Sequence, residues 1–102
     1  MHGAGDDGIS VLFSALAHPL RRYVLYCLSG RDEPVSLDEL AADVTNAGYD
    51  EPDESATELV TALHHTHLPN LDEAGVITYS PAQGTIALEE VPHLARVLQL
   101  AA

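Results

Sequence analysis

The chain has 102 residues, 46% of them hydrophobic and only 5% aromatic, with sixteen Asp and Glu against four arginines and no lysine, a formal charge of −12. That length and apolar content fit one domain with a core of Leu, Val and Ala, and they favour a compact helical or mixed domain over a disordered chain. The single cysteine, Cys27, excludes an internal disulfide, the acidity excludes attraction to anionic lipid, and no run of about 18 apolar residues is present to span a membrane.

The opening residues, MHGAGDDGIS, lack the basic stretch and apolar run of a secretion signal. With one cysteine suited to a reducing compartment, a cytoplasmic protein is expected. Residues 1–8 read as a flexible tail. Ile9, Leu12, Phe13 and Leu16 then recur at helical spacing, as do Leu20, Val24, Cys27 and Leu28. Pro19 separates the two sets and fits the first turn of a new helix. The spacing predicts a short helix, a kink at His18–Pro19, and a helix to about Ser29 that stops at Gly30.

Ser36, with Glu39 three residues on, forms a capping box for the next helix, and Val35 can staple against Leu40. That helix buries Leu37, Leu40, Ala41 and Val44. The stretch NAGYDEPDES is a polar, acidic loop. A third helix runs from about Asp53 or Ser55 to Glu73 and ends at Gly75, with Pro69 bending or interrupting it. If it keeps its phase, Val60, Leu63, Leu71 and Ala74 share a face. VITYS and TIALE are β-prone runs around the tight turn PAQG, a hairpin. The tail, 89–102, places Val91, Leu94, Val97, Leu98 and Ala101 on one stripe of a final amphipathic helix. The fold class is therefore mainly α with a β-hairpin, and residues 9–88 form the domain. The order fits a winged helix-turn-helix, with the second and third helices as the pair and the hairpin as wing.

The string LHHTHLPNLDEAGVI, residues 63–77, concentrates three histidines. His64 and His67 flank the apolar direction of their helix, and His65 points away from it. The expected role of His64 and His67 is partial burial with a hydrogen bond to backbone or a nearby hydroxyl. Burial would lower their pKa. Their i, i+3 spacing could serve a metal, but zinc takes three or four ligands. His18, Cys27 and His93 are the remaining partners, and no CxxC or HExxH accompanies them. No metal and no cofactor are expected, and Cys27 reads as a small core residue. Catalysis has no support either. Asp72 and Glu73 are adjacent rather than facing, and there is no nucleophile elbow or phosphate-cradling glycine loop.

Local strings sharpen the fold. LFSALAHPLRRYVLYCLSG resembles the first-helix signature of ArsR-like winged-helix regulators: Leu-Phe-x-Ala-Leu, a His/Asp-Pro, an Arg, then an apolar helix. VSLDELAADV resembles their second helix. HTHLPNLDEAGVI resembles the end of their recognition helix, where Ser-x-His-Leu-x-x-Leu-x-x-Ala-Gly-Leu-Val is common. Here His65 stands in place of the Ser, while His67, Leu68, Leu71, Ala74, Gly75, Val76 and Ile77 match. With this acidity, RRYVLY and LHHTHLP look like small winged-helix domains of salt-loving archaea. The resemblance covers residues 9 to about 88. Such acidity suits molar salt, where a Debye length of about 3 Å screens self-repulsion.

The resemblance implies a homodimeric, double-stranded-DNA-binding transcriptional regulator. Its reading face would hold Thr57, Glu58, Thr61, Ala62, His65, Thr66, Pro69 and Asn70. Of these, Thr61, His65, Thr66 and Asn70 could donate or accept hydrogen bonds at bases or phosphates. Arg21 and Arg22 either contact phosphate or only offset nearby acids. Dimerisation would use the tail helix and residues 9–17, setting two reading helices about 34–36 Å apart. Against this, Glu58 lies on the reading face behind Asp53 and Glu54, and the wing tip SPAQGT carries no cation. The alternative is a winged-helix protein-interaction module that has lost DNA binding.

Overall fold

The computed structural model describes residue 13, residues 15–90, and residues 94 and 98. Phe13 and Ala15 are helical, and the backbone then turns through Leu16–His18. Helix α1 spans Pro19–Ser29. His18 is its N-cap, with an extended backbone, and its Nδ1 accepts the N–H of Leu20 at 3.1 Å. Pro19 follows at the first helical position, where a missing N–H is harmless. The Gly30 N–H closes the helix on the Cys27 carbonyl. Leu20, Val24, Leu25 and Leu28 form its buried face.

Val35–Ser36 is a two-residue strand, β1, and helix α2 follows directly over Leu37–Asn46. The Ser36–Glu39 capping box is present in both directions, each bond 3.1 Å. Leu40 and Val44 are fully buried, and Leu37 and Ala41 are half-buried against the core. Val35 is buried in the sheet, a role that helical periodicity does not reveal.

The third helix is continuous in path but not in pitch. It begins as α3, Ala56–Ala62, passes through a π-helical turn, Leu63–His67, and ends as α4, Leu68–Glu73. A second capping box starts it: Ser55 Oγ accepts the Glu58 N–H, and Glu58 Oε1 accepts the Ser55 N–H, both at 3.1 Å. In the π turn the Leu68 N–H reaches back five residues to the Leu63 carbonyl. The turn widens just before Pro69, which has no N–H to donate and whose ring crowds the carbonyl four residues earlier.

That turn absorbs one residue, with a consequence for every side chain beyond it. Two turns of a regular helix take about 7 residues, so the position in line with Leu63 would be Asn70. Instead Leu71 is fully buried with Leu63, and Asn70 is exposed. Leu59, Leu63, His67 and Leu71 form one inward row, joined by Leu68. The expected common face of Val60, Leu63, Leu71 and Ala74 is thus shifted: Val60 and Ala74 are only half-buried. Gly75, at φ +82°, ends the helix. Its N–H bonds to the Asp72 carbonyl, and the Val76 N–H bonds to Leu71, the paired bonds of a Schellman stop.

Strands β2, Ile77–Ser80, and β3, Thr85–Leu88, form the hairpin read from the sequence. Its turn closes with the Gly84 N–H on the Ser80 carbonyl at 2.7 Å, Gly84 lying at φ +68°. The antiparallel sheet has the order β1-β3-β2, with Val35 opposite Ile86 and Tyr79 opposite the same residue on the other side. Ile77, Tyr79 and Ile86 turn inward onto the helices. The fold is mainly helical with a small antiparallel hairpin. Leu94 is buried in this core and Leu98 is half-buried against it. The rest of the expected tail helix, and most of residues 9–17, lie outside the described residues.

Candidate functional site

The helix running from Ala56 to Glu73 brings four of the expected contact residues together. Thr61, His65, Thr66 and Asn70 are all exposed, together with Thr57, Glu58 and Pro69, while Ala62 is half-buried. The π turn lies between Thr61 and Asn70 and is the reason that Asn70 is outside. This is a polar, hydrogen-bonding surface with one fixed acid. Glu58 is committed to the Ser55 cap, and the Ser55 N–H and hydroxyl hold its carboxyl below the usual range. Asp50, Glu51 and Asp53 are exposed in the loop before the helix, and Glu54 Oε1 accepts the Tyr49 hydroxyl at 3.3 Å.

The two arginines at the start of α1 part company. Arg21 reaches the helix Ala56–Glu73: its Nε donates to His67 Nδ1 at 3.1 Å. Arg22 turns the other way, its Nη1 donating to the Leu16 carbonyl at 2.8 Å, which braces the chain before the kink. Both are half-buried. Arg31 is matched by acids, with two-pronged bonds to Asp43 and Glu39 at 3.9 Å.

The histidines take three different positions. His67 is buried, 6% exposed, and its ring lies 4.4 Å from that of His18. Burial first, then the neighbouring His18 and Arg21, push its pKa down to about 4. The hydrogen bonds assign the tautomer: Nδ1 accepts in both His18 and His67, so the ring proton of each neutral form sits on Nε2. The partner of His67 is a guanidinium rather than the backbone or hydroxyl expected. His64 is half-buried, and its Nδ1 meets the Tyr79 hydroxyl at 2.5 Å, as expected of it. His65 is exposed. Among the described residues, no three His, Cys, Asp or Glu side chains converge as a metal-ligand group. Cys27 is half-buried against the core, and burial and Asp43 raise its thiol pKa.

The hairpin is fastened to the same helix. The Tyr79 N–H donates to Asp72 Oδ2 at 2.7 Å while its hydroxyl meets His64. Asp72 therefore anchors β2. The second capping box was readable as Ser-x-x-Glu at 55–58. The Arg21–His67 bond joins residues 46 apart and has no local signature. Among the described residues, no helix is long and apolar enough to cross a membrane.

Fold and site together define a small, mainly helical domain whose helix from Ala56 to Glu73 displays exposed polar residues beside a tethered hairpin. The chain belongs to a domain family of unknown function, DUF7344, whose model matches residues 13–87. No curated protein and no solved structure matches it.

Proposed function

We propose that this chain is a winged helix-turn-helix domain that binds double-stranded DNA and acts as a cytoplasmic, homodimeric transcriptional regulator at high salt. In this reading α2 and the helix Ala56–Glu73 are the helix-turn-helix, and β2–β3 is the wing. The observation that carries it is the shared exposure of Thr61, His65, Thr66 and Asn70 on one helix, with the π turn between Thr61 and Asn70. These side chains offer donors and acceptors to base edges without needing net positive charge. At molar salt counterion release contributes little, so hydrogen bonding and shape fit must supply the affinity. The ArsR-like resemblance of residues 9–88 supports the same reading. Dimerisation would use the tail helix and residues 9–17, with Leu94 already covered by its own chain.

A protein-interaction module is the second reading. It is favoured by exposed Glu58 and Asp53 at the head of the helix and by the inward bond of Arg22. Amide chemical-shift mapping in molar KCl separates the two. Addition of duplex DNA should shift Thr61, His65, Thr66, Asn70 and the 81–84 turn. A folded protein whose shifts stay unmoved would reject DNA binding.

A further inference from the structure

Two of the four arginines stand side by side in the first turn of α1, where no acid accompanies them. A helix N-terminus carries partial positive charge, so cations there weaken the helix. A chain with sixteen acids has placed half of its cations at that end, while Arg31 is matched by Asp43 and Glu39. Among the described residues no carboxylate lies in salt-bridge range of Arg21 or Arg22. Among the described residues nothing offsets this cost, and an external anion beside the two arginines would.

Arg21 is held in place for one. Of its nitrogens, only Nε is bonded among the described residues, to the buried Nδ1 of His67. That bond tethers one edge of the guanidinium fork and leaves its terminal NH2 groups to match a phosphate. His67 is itself wedged against the ring of His18, the cap of α1. It follows exposed Thr66 on the reading helix. We infer that Arg21 clamps a DNA backbone phosphate and that His67 is the residue that positions it. This rests on the DNA-binding reading and adds to it the coupling between α1 and the π turn.

The test is duplex affinity by fluorescence anisotropy across a KCl series in which circular dichroism reports the folded chain. Arg21→Ala should weaken binding and reduce the slope of log K against log[KCl] by about 0.9, the share of one phosphate contact. His67→Leu should lose the same slope, His67→Asn should keep it through its side-chain oxygen, and Arg21→Ala with His67→Leu should lose no more than either alone. Arg21→Ala leaves the core side chains in place and carries the test even if His67→Leu does not fold. An unchanged slope in Arg21→Ala overturns the clamp. A His67→Leu chain that folds with the wild-type slope overturns the positioning role. A folded wild type that binds no duplex overturns this inference and the DNA-binding reading together.

Discussion

Replacing His67 should change how the protein responds to acid, and the size of the effect follows from its position. The folded chain holds His67 at about 4, against an ordinary 6.5. Well above pH 6.5 neither the folded nor the unfolded chain protonates it, and stability is complete. As pH falls, the unfolded chain takes a proton that the folded chain refuses. Stability is then lost at up to about 1.4 kcal/mol per pH unit until the pH reaches about 4, where the loss levels off near a total of about 3 kcal/mol. About 2 kcal/mol of this falls between pH 7 and 5, a window in which most carboxylates remain ionised. The assay is urea unfolding at fixed molar KCl, comparing wild type with His67→Leu at each pH. The wild type should lose about 2 kcal/mol more than the variant between pH 7 and 5. Parallel pH profiles would refute the reasoning, because they would mean that His67 is not buried beside Arg21 and His18.

Five further substitutions, at four positions, probe the geometry. Leu71→Ala should destabilise by about 2–5 kcal/mol and Asn70→Ala by no more than about 0.5; a regular helix without the π turn would narrow or reverse that ranking in urea melts. Ser55→Ala should lower stability by about 1 kcal/mol, and Ser55→Asp should restore most of it, as read by thermal unfolding. Gly84→Ala forces a side chain to φ +68° in the hairpin turn and should cost about 1–2 kcal/mol, again by thermal unfolding.

The elements that rest on local chemistry were legible in the sequence. Pro19, Gly30, the Ser36–Glu39 box, Gly75 and the PAQG turn each place a boundary, and the structure has its elements there. The π turn was not legible, because Pro69 signals only that the helix cannot stay regular. Whether the chain kinks, breaks or widens depends on which answer buries Leu68 and Leu71. Strand β1 was hidden for a similar reason: Val35 and Ser36 look like a helix entry, and only β3, about 50 residues away in sequence, gives them a partner. Among the site residues, the exposure of Thr61 and His65 was readable from the wheel, whereas that of Asn70 depends on the π turn. The divergence of Arg21 and Arg22 was not, since it depends on His67 and on the Leu16 carbonyl, neither of them a neighbour in the helix.

The central claim is that the row from Thr61 to Asn70 reads DNA, and selection from a random duplex pool by the purified chain in molar KCl tests it most directly. The account predicts enrichment of a palindromic motif, lost when His65→Ala and Asn70→Ala are combined in a chain that still folds. A folded wild type that enriches no motif would contradict it and favour the protein-interaction module.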